Sequence, residues 1–171
     1  MILVRHAESE WNRHFSLTRI DPNIPDPPLT ELGRQQAEEL VDRLADQGVR
    51  RLIASPYRRA LQTASIIAGS LGLAIAIEPL VRERCVFSCD LGTPASTLAR
   101  LWADLDFTRV EEQWWGEPTE SEAELAVRCD AFRAKIASLN DRFEVAVISH
   151  WGFIRALTGE ELANADFLRL P

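Results

Sequence analysis

Short apolar runs alternate along the chain with longer segments in which apolar residues recur at helical spacing. Each run has three or four residues, which is typical of a strand buried on both faces of a sheet. The runs cover residues 2–4, 52–54, 74–77 and 145–148. Strands separated by helices predict a mostly parallel sheet with helices on both faces. The pattern therefore predicts an α/β fold, built as a three-layer α/β/α sandwich.

The helices predicted between these strands carry recognisable start and stop residues. An N-cap side chain accepts a backbone hydrogen bond in the first turn, and glycine ends a helix because it tolerates a left-handed backbone. The first predicted helix has its N-cap at Thr30 and its stop at Gly48, and the second starts after Pro56. A later helix starts with a T-x-x-E capping box of Thr119 and Glu122, and the last one stops at Gly159. The less regular stretch 78–118 is predicted to hold one short helix after Pro94.

Length and composition narrow the class of protein. The chain has 171 residues, and we expect a single domain over residues 1–171. Hydrophobic residues make up 46% and charged residues 26%, which argues against a disordered or collagen-like chain. No apolar run approaches the roughly 18 residues that span a bilayer, so no membrane partner is expected. The first apolar run is too short for a signal-peptide core, and the cytoplasm is the expected location.

The charge of the chain bears on its partners. The formal net charge is −7, which disfavours nucleic acid as a partner because like charges repel. Lysine occurs once, at Lys135, and every other basic residue is an arginine. Arginine binds phosphate through two parallel hydrogen bonds, whereas lysine acts as a point charge. A local anion site is therefore compatible with the negative total charge.

The cysteines do not indicate a metal site. Cys85, Cys89 and Cys129 cannot all pair with one another, which fits a reducing compartment. Cys85 and Cys89 lack the second cysteine pair and the nearby histidine that a zinc site of this kind needs. We expect neither a metal nor a cofactor.

Polar and charged side chains follow three of the four predicted strands. In open α/β sheets, ligands bind beyond the carboxyl ends of the strands. The residues at these ends are Arg5 and His6, then Ser55 with Arg58 and Arg59, then Ser149 and His150. Together they describe a pocket with two imidazoles, several guanidiniums and helix N-termini, which suits a phosphate dianion.

Four segments, in order along the chain, resemble one protein family. Residues 5–12 read R-H-A-E-S-E-W-N and resemble the R-H-G-x-S-x-x-N signature of the histidine phosphatase superfamily, the phosphoglycerate mutase-like proteins. Residues 29–37 are similar to its L-T-x-x-G-x-x-Q-A, residues 55–64 to its S-x-x-x-R-A-x-Q-T-A, and residues 148–152 to the segment around its second histidine. The resemblance implies the phosphoglycerate mutase-like fold.

The resemblance also implies roles for individual residues. His6 would be the nucleophile that becomes phosphohistidine. Arg5, Arg59 and His150 would hold the phosphoryl oxygens, and Asn12 would assist them. The A-x-Q-T that follows makes Arg59 the motif residue, so we expect Arg58 to lie at the rim or the surface.

The family's proton donor is an acid on the loop after the third strand. Residues 80–83 resemble its L-x-x-E, which makes Glu83 the donor, with Glu78 as the alternative.

Two residues depart from the family pattern. Ala7 replaces a glycine, so the backbone there must suit an L-residue. Trp151 also stands where many members carry glycine, and it is expected to narrow the pocket mouth.

The resemblance implies a metal-independent phosphatase that hydrolyses a phosphomonoester through a phosphohistidine on His6. The chain is shorter than the mutases and, after Glu83 and Arg84, departs from their E-R-H-Y-G, which favours hydrolysis over transfer. A phosphoglycerate mutase-type phosphoryl-transfer enzyme is the first alternative. A non-catalytic phosphate-binding or protein-interaction module is the second.

The expected partner is a small phosphorylated substrate, with a phosphoprotein as a further candidate. The loop from Glu83 to Trp115, where motif matching ends, would select it. Trp102, Trp114 and Trp115 suit core packing or pocket cover, and an interface is their other interpretation. The sequence gives no sign of the oligomeric state.

Overall fold

The computed structural model describes residues 1–116 and 119–171, and it contains the four predicted strands with one more at the sheet edge. The strands are β1 (Ile2–Arg5), β2 (Arg51–Ala54), β3 (Ala74–Ile77), β4 (Val145–Ser149) and β5 (Phe167–Arg169). Their order in the sheet is β3-β2-β4-β1-β5. All neighbouring pairs are parallel except β1 and β5, which are antiparallel. The prediction of a mostly parallel sheet is confirmed.

Six α-helices are present among the described residues, and each predicted helix is one of them. They are α1 (Glu10–Thr18), α2 (Glu31–Ala45), α3 (Arg58–Leu71), α4 (Ala95–Leu101), α5 (Glu122–Ala137) and α6 (Trp151–Thr158). Within the same residues, none of the helices is long and apolar enough to cross a membrane.

Apolar side chains form two cores, one on each face of the sheet. Because side chains alternate along a strand, Ile2 and Val4 of β1 belong to one core and Leu3 to the other. The helices supply Leu40, Leu61 and Leu98 to the first core, and Phe132 and Phe153 to the second. Helices therefore cover both faces of the sheet, as the three-layer prediction requires.

Two elements have no counterpart in the sequence prediction. Helix α1 buries only Trp11 fully, so it shows little apolar periodicity, and its start depends on a capping box between Ser9 and Asn12. Strand β5 has three residues, none of them fully buried, and it pairs with β1 alone. Neither element has the long apolar pattern by which a single sequence shows its secondary structure.

Two predicted helix boundaries are wrong. Helix α5 is capped by Ser121 and Glu124, not by Thr119 and Glu122. Glu120 is buried in an ion pair with Arg128, so the chain turns into the helix only after it. Helix α2 ends three residues before Gly48, with Asp46 as its C-cap, and the positive φ of Gly48 belongs to the following turn.

The tryptophans of the irregular segment pack against the first core. Trp114 is buried and meets the ring of Tyr57 edge-on at 4.6 Å, and Trp115 meets Trp114 in the same way at 5.6 Å. Trp102 is partly buried on this core and donates a hydrogen bond to the hydroxyl of Ser65. The packing interpretation of these residues is confirmed.

Gly33 allows α2 to pack directly on the loop that follows β1. A Cβ atom at this position would lie 2.0 Å from the carbonyl oxygen of Glu8. We expect Gly33→Ala to lower the free energy of unfolding by about 1–3 kcal/mol, the usual cost of overpacking. Urea denaturation followed by circular dichroism measures the change.

Gly69 on α3 provides the matched control, because a Cβ there meets no atom within 4 Å. Gly69→Ala should raise the free energy of unfolding by about 0.5–1 kcal/mol, since alanine is the better helix former. Equal effects of the two substitutions would contradict the close contact between α2 and this loop.

Candidate active site

A cavity of about 590 Å³ opens at the carboxyl ends of the parallel strands. Five of the six residues predicted for the site line it: Arg5, His6, Asn12, Arg59 and Glu83. The sixth, His150, is fully buried behind the cavity wall, with its ring centroid 5.0 Å from that of His6. The structure therefore brings the predicted residues together.

His6 is oriented by two backbone carbonyl groups, one on β4 and one on the residue that follows His6. Its N–H donates to the carbonyl of Ser149 at 2.9 Å, which extends the pairing between β1 and β4 by one residue. Its Nδ1 lies 2.7 Å from the carbonyl oxygen of Ala7. A carbonyl oxygen only accepts hydrogen bonds, so Nδ1 carries the proton and Nε2 keeps its lone pair. Ala7 is not among the residues with positive φ, so an L-residue fits here as expected.

His150 is held from the end of β2. Its Nε2 is 2.7 Å from the hydroxyl oxygen of Ser55, whereas its buried Nδ1 has no hydrogen-bond partner within residues 1–116 and 119–171. The buried Nε of Arg5 likewise has none there, while Nη1 of this arginine donates to the carbonyl of Leu162. Buried donors and acceptors are normally satisfied, so these two atoms are candidates for contacts with a bound oxyanion.

The two neighbouring arginines of α3 lie in different surroundings. Arg59 is 3% exposed and lines the cavity. Its guanidinium donates to the carbonyl of Cys89 at 2.8 Å and to Asp90 Oδ1 at 3.3 Å, and it lies 4.3 Å from the ring centroid of Tyr57. Arg58 is not among the residues that line the cavity, as the motif register predicts.

The electrostatics keep both imidazoles neutral. Burial, and after it the positive charges of Arg59 and Arg5, hold the pKa of His6 well below its usual range. Burial, Arg59 and then His6 lower the pKa of His150 in the same way. A neutral imidazole with a free lone pair can act as a nucleophile toward phosphorus.

Glu83 lies at the N-terminus of α6. Its two carboxylate oxygens accept hydrogen bonds from the N–H groups of Gly152 and Phe153, both at 3.1 Å. A Cβ at position 152 would lie 2.5 Å from Glu83 Oε1, so only glycine allows this approach. Trp151, the first residue of α6, lines the cavity next to this contact.

The protonation of Glu83 results from opposing effects. Burial and the nearby charge of Asp90 raise its pKa, and the backbone N–H groups and Arg59 oppose them without cancelling the shift. A raised carboxyl pKa suits a proton donor. The alternative donor, Glu78, is not among the cavity-lining residues, since its carboxylate accepts from the Leu80 N–H and pairs with Lys135.

Asn12 is held in place by hydrogen bonds to its amide oxygen. Its amide oxygen accepts hydrogen bonds from the backbone and hydroxyl of Ser9 and from the amide of Asn164. The oxygen therefore faces the protein, and the amide nitrogen is the atom available to a ligand. Asn164 also lines the cavity and donates to the carbonyl of His6.

Several residues of the site were missed by sequence reasoning. Asp90 is 1% exposed and contacts Arg59, but a single acid in an irregular loop gives no sequence signal. Asn164 lies in a loop near the end of the chain, and only the fold brings it to the cavity. Three aromatic side chains, Trp11, Phe15 and Phe87, also line the cavity.

Comparison with known proteins agrees with this geometry. The model of the histidine phosphatase superfamily (branch 1) matches residues 1–169. The chain belongs to this superfamily. The resemblance stated from the four sequence segments is thereby confirmed.

Two curated relatives of this superfamily member are named "Probable phosphoglycerate mutase GpmB". The one from Enterobacter sp. (strain 638) is 32% identical over an alignment of 160 residues, and the match covers 86% of this chain and 67% of the relative. The one from Yersinia pestis (strain Pestoides F) is 42% identical over 81 residues, 47% of this chain and 36% of the relative. The matched segments thus span about two thirds of the first relative and about a third of the second.

The fold is shared with solved structures of the superfamily. A mycobacterial glucosyl-3-phosphoglycerate phosphatase in complex with VO3 superposes with a TM-score of 0.69 at 21% identity, over 98% of this chain and 88% of the other. This similarity confirms the phosphoglycerate mutase-like fold.

The neutral imidazoles of this superfamily member predict a pH dependence of its stability. Below about pH 6.5 the unfolded chain binds protons at His6 and His150 that the folded protein does not bind, so acidification favours unfolding. The free energy of unfolding should fall with decreasing pH by at most about 1.4 kcal/mol per pH unit for each imidazole. Urea titrations between about pH 7.5 and pH 5.5 measure the slope.

Variants isolate this effect from other titrating groups. The raised pKa of Glu83 has the opposite effect on the free energy of unfolding, because here the folded protein binds a proton that the unfolded chain has lost. Glu83 is present in the wild type and in every variant, so its contribution is common to all of them. The double variant His6→Gln/His150→Gln should have a shallower slope. His14→Gln, which removes an exposed imidazole on α1, should keep the slope of the wild type. An unchanged slope in the double variant would show that the two buried imidazoles titrate normally.

Proposed function

We propose that this protein is a phosphatase that hydrolyses a small phosphomonoester through a phosphohistidine on His6, with Glu83 as proton donor, in one domain over residues 1–171. The observation that carries the proposal is that two groups lining one cavity have pKa values shifted in opposite directions. The pKa of His6 is lowered and the pKa of Glu83 is raised. A neutral nucleophile and a protonated acid can then coexist at the same pH.

The first chemical step forms a bond between His6 and phosphorus. Nε2 of His6 attacks in line, and the ester P–O bond breaks on the opposite side. Glu83 gives its proton to the departing alkoxide oxygen. Arg5 and Arg59 balance the negative charge on the equatorial oxygens, and the neutral ring of His150 adds a hydrogen bond to them. This electrostatic contribution is the one on which phosphoryl transfer chiefly depends.

The second step releases phosphate. The Glu83 carboxylate takes a proton from a water molecule, which attacks phosphorus as the P–N bond to His6 breaks. Inorganic phosphate leaves, and His6 and Glu83 return to their starting protonation states. The guanidiniums supply the positive charge that a metal ion supplies in other phosphatases, so we propose that the reaction needs no metal.

The names of the curated relatives favour a second candidate, a phosphoryl-transfer mutase. The same phosphohistidine would then return its phosphoryl group to another hydroxyl of the substrate rather than to water. The two functions differ in their products, which are free phosphate and an isomerised phosphate ester. Phosphorus NMR of the reaction mixture distinguishes them.

The phosphohistidine gives the most direct prediction. Alkaline denaturation during turnover of a radiolabelled phosphomonoester, after exhaustive EDTA treatment of the enzyme, should leave a phosphoryl group on the peptide that contains His6, and later acid treatment should release it. His6→Ala should lose the label and lower turnover by more than about 10³-fold, the scale of loss when a covalent nucleophile is removed. Its circular dichroism should match the wild type.

His14→Ala is the matched control, because His14 is exposed on α1 and lies outside the cavity. It should keep both the label and the activity. Label on a serine, cysteine or aspartate would rule out His6 as the nucleophile. Activity that is lost with EDTA and restored by Mg²⁺ or Zn²⁺ would rule out the metal-independent mechanism.

The role of Glu83 predicts a dependence on the leaving group. An alkyl phosphate expels a basic alkoxide that needs a proton, whereas nitrophenyl phosphate expels a stable phenolate. In Glu83→Gln, phosphorylation of His6 by an alkyl phosphate should slow by about 10²–10⁴-fold, the usual contribution of general acid catalysis. Phosphorylation by nitrophenyl phosphate should slow much less. Single-turnover measurements isolate this step from the later hydrolysis.

Glu78→Gln provides the control, since it alters a buried carboxylate that does not line the cavity. It should leave the first step within about twofold of the wild type for both substrates. Equal slowing of both substrates by Glu83→Gln would mean that Glu83 is not the leaving-group acid.

A further inference from the structure

The cavity has a second, aromatic half beside the charged groups. Three rings line it: Trp11, Phe15 and Phe87. Trp11 and Phe15 are stacked with centroids 4.4 Å apart and an interplanar angle of 13°. The ring of Phe87 is tilted against both, at 5.1 Å from Trp11 and 5.4 Å from Phe15. None of the three rings takes part in the phosphoryl chemistry proposed above.

The aromatic wall is held in place by hydrogen bonds that need no ligand. Asp21 accepts hydrogen bonds from the indole N–H of Trp11 and from the backbone N–H of Ser88, so it ties α1 to the loop that carries Phe87. Asp90 accepts from the N–H of Phe87 on the other side. A surface arranged before binding loses little conformational freedom when a ligand docks.

The wall presents ring surface to the cavity. Trp11 is only 8% exposed, whereas Phe87 is 42% exposed. Phe87 continues a buried aromatic stack but leaves part of its own ring uncovered, so a further apolar group can pack on it. The cavity of about 590 Å³ has the size of sites that enclose a whole drug-sized molecule, far more than a phosphoryl group needs.

Two further arginines line the cavity, and each has a contact within the protein. Arg84 donates to the carbonyl of Glu120 and pairs with Glu122. The guanidinium of Arg19 lies 5.9 Å from the ring centroid of Phe15, within reach of a cation–π contact. An acidic leaving group such as glycerate would have to compete with Glu122 for Arg84, whereas an aromatic one would add a ring to the existing stack.

Resting on the phosphatase activity proposed above, we propose that the substrate is a phosphomonoester whose leaving group carries an aromatic ring, and that this ring packs on Phe87 and Phe15. The phosphoryl group would lie among the arginines and imidazoles, and the ring against the aromatic wall. Phe87 is then a specificity-determining residue.

Two alkyl phosphates that differ only in the ring test the proposal. Ethyl phosphate and 2-phenylethyl phosphate expel alkoxides of similar basicity, so a difference in kcat/KM reports on binding of the ring. In the wild type, 2-phenylethyl phosphate should have the higher kcat/KM by about tenfold, a typical gain for burying and stacking an aromatic ring. Phe87→Ala should reduce this ratio about fivefold and leave kcat/KM for ethyl phosphate within about twofold.

Phe143→Ala is the matched control. Phe143 is 50% exposed, similar to Phe87, but does not line the cavity, and its removal should leave the ratio unchanged. A wild-type ratio near one would overturn the proposal, and so would equal losses for both substrates in Phe87→Ala. A higher kcat/KM for 3-phosphoglycerate than for 2-phenylethyl phosphate would overturn it as well.

Calorimetry with two non-hydrolysable phosphonates separates the ring site from the reaction. Benzylphosphonate should bind the wild type about tenfold more tightly than methylphosphonate, and Phe87→Ala should remove most of that difference. Absence of phosphate release from every substrate would contradict the phosphatase function alone. Equal dissociation constants for the two phosphonates would contradict the ring site alone.

Discussion

The burial of Arg59 is the constraint on which the rest of the site depends. A guanidinium that is 3% exposed must be paired, because an uncompensated buried charge costs several kcal/mol. Asp90 and the carbonyl of Cys89 pair it, and the ring of Tyr57 lies against it. The carboxylate of Asp90 also accepts the N–H of Phe87, so one acid fixes both the proposed phosphate site and the aromatic wall.

The same two charges act on the protonation of the other groups. Burial is the largest cause of each pKa shift, and Arg59 adds to it at both imidazoles while Asp90 adds to it at Glu83. Arg59 thus favours the neutral form of the histidines, and Asp90 favours the protonated form of the acid. A site without Asp90 would leave Arg59 without its carboxylate partner and would lower the pKa of Glu83, and both changes oppose the chemistry proposed for the cavity.

The sequence allowed us to predict those parts of the fold and of the site that depend on a local pattern of residues. Apolar runs located four strands, and because parallel strands end at one sheet edge, Arg5, His6 and His150 could be placed together. The motif register on α3 separated Arg59 from Arg58. Asp90 could not be predicted in this way, since its contact with Arg59 spans 31 residues of chain and depends on how an irregular loop closes. The Ser121 cap was missed for the same reason, because α5 begins after buried Glu120, whose carboxylate contacts Arg82 at a separation of 38 residues.

The position of Glu83 shows how distant elements cooperate in the proposed mechanism. Its carboxylate is held by the N-terminus of α6, while Arg128 of α5 donates to the carbonyl oxygens of Leu80 and Arg82 and, at 3.4 Å, to that of Glu83 itself. Arg128 is in turn paired with buried Glu120. A proton donor is effective only within hydrogen-bond reach of the departing oxygen. Because the carboxylate and the backbone of Glu83 are both held by helices of the second core, packing on one face of the sheet sets the geometry of the proposed acid.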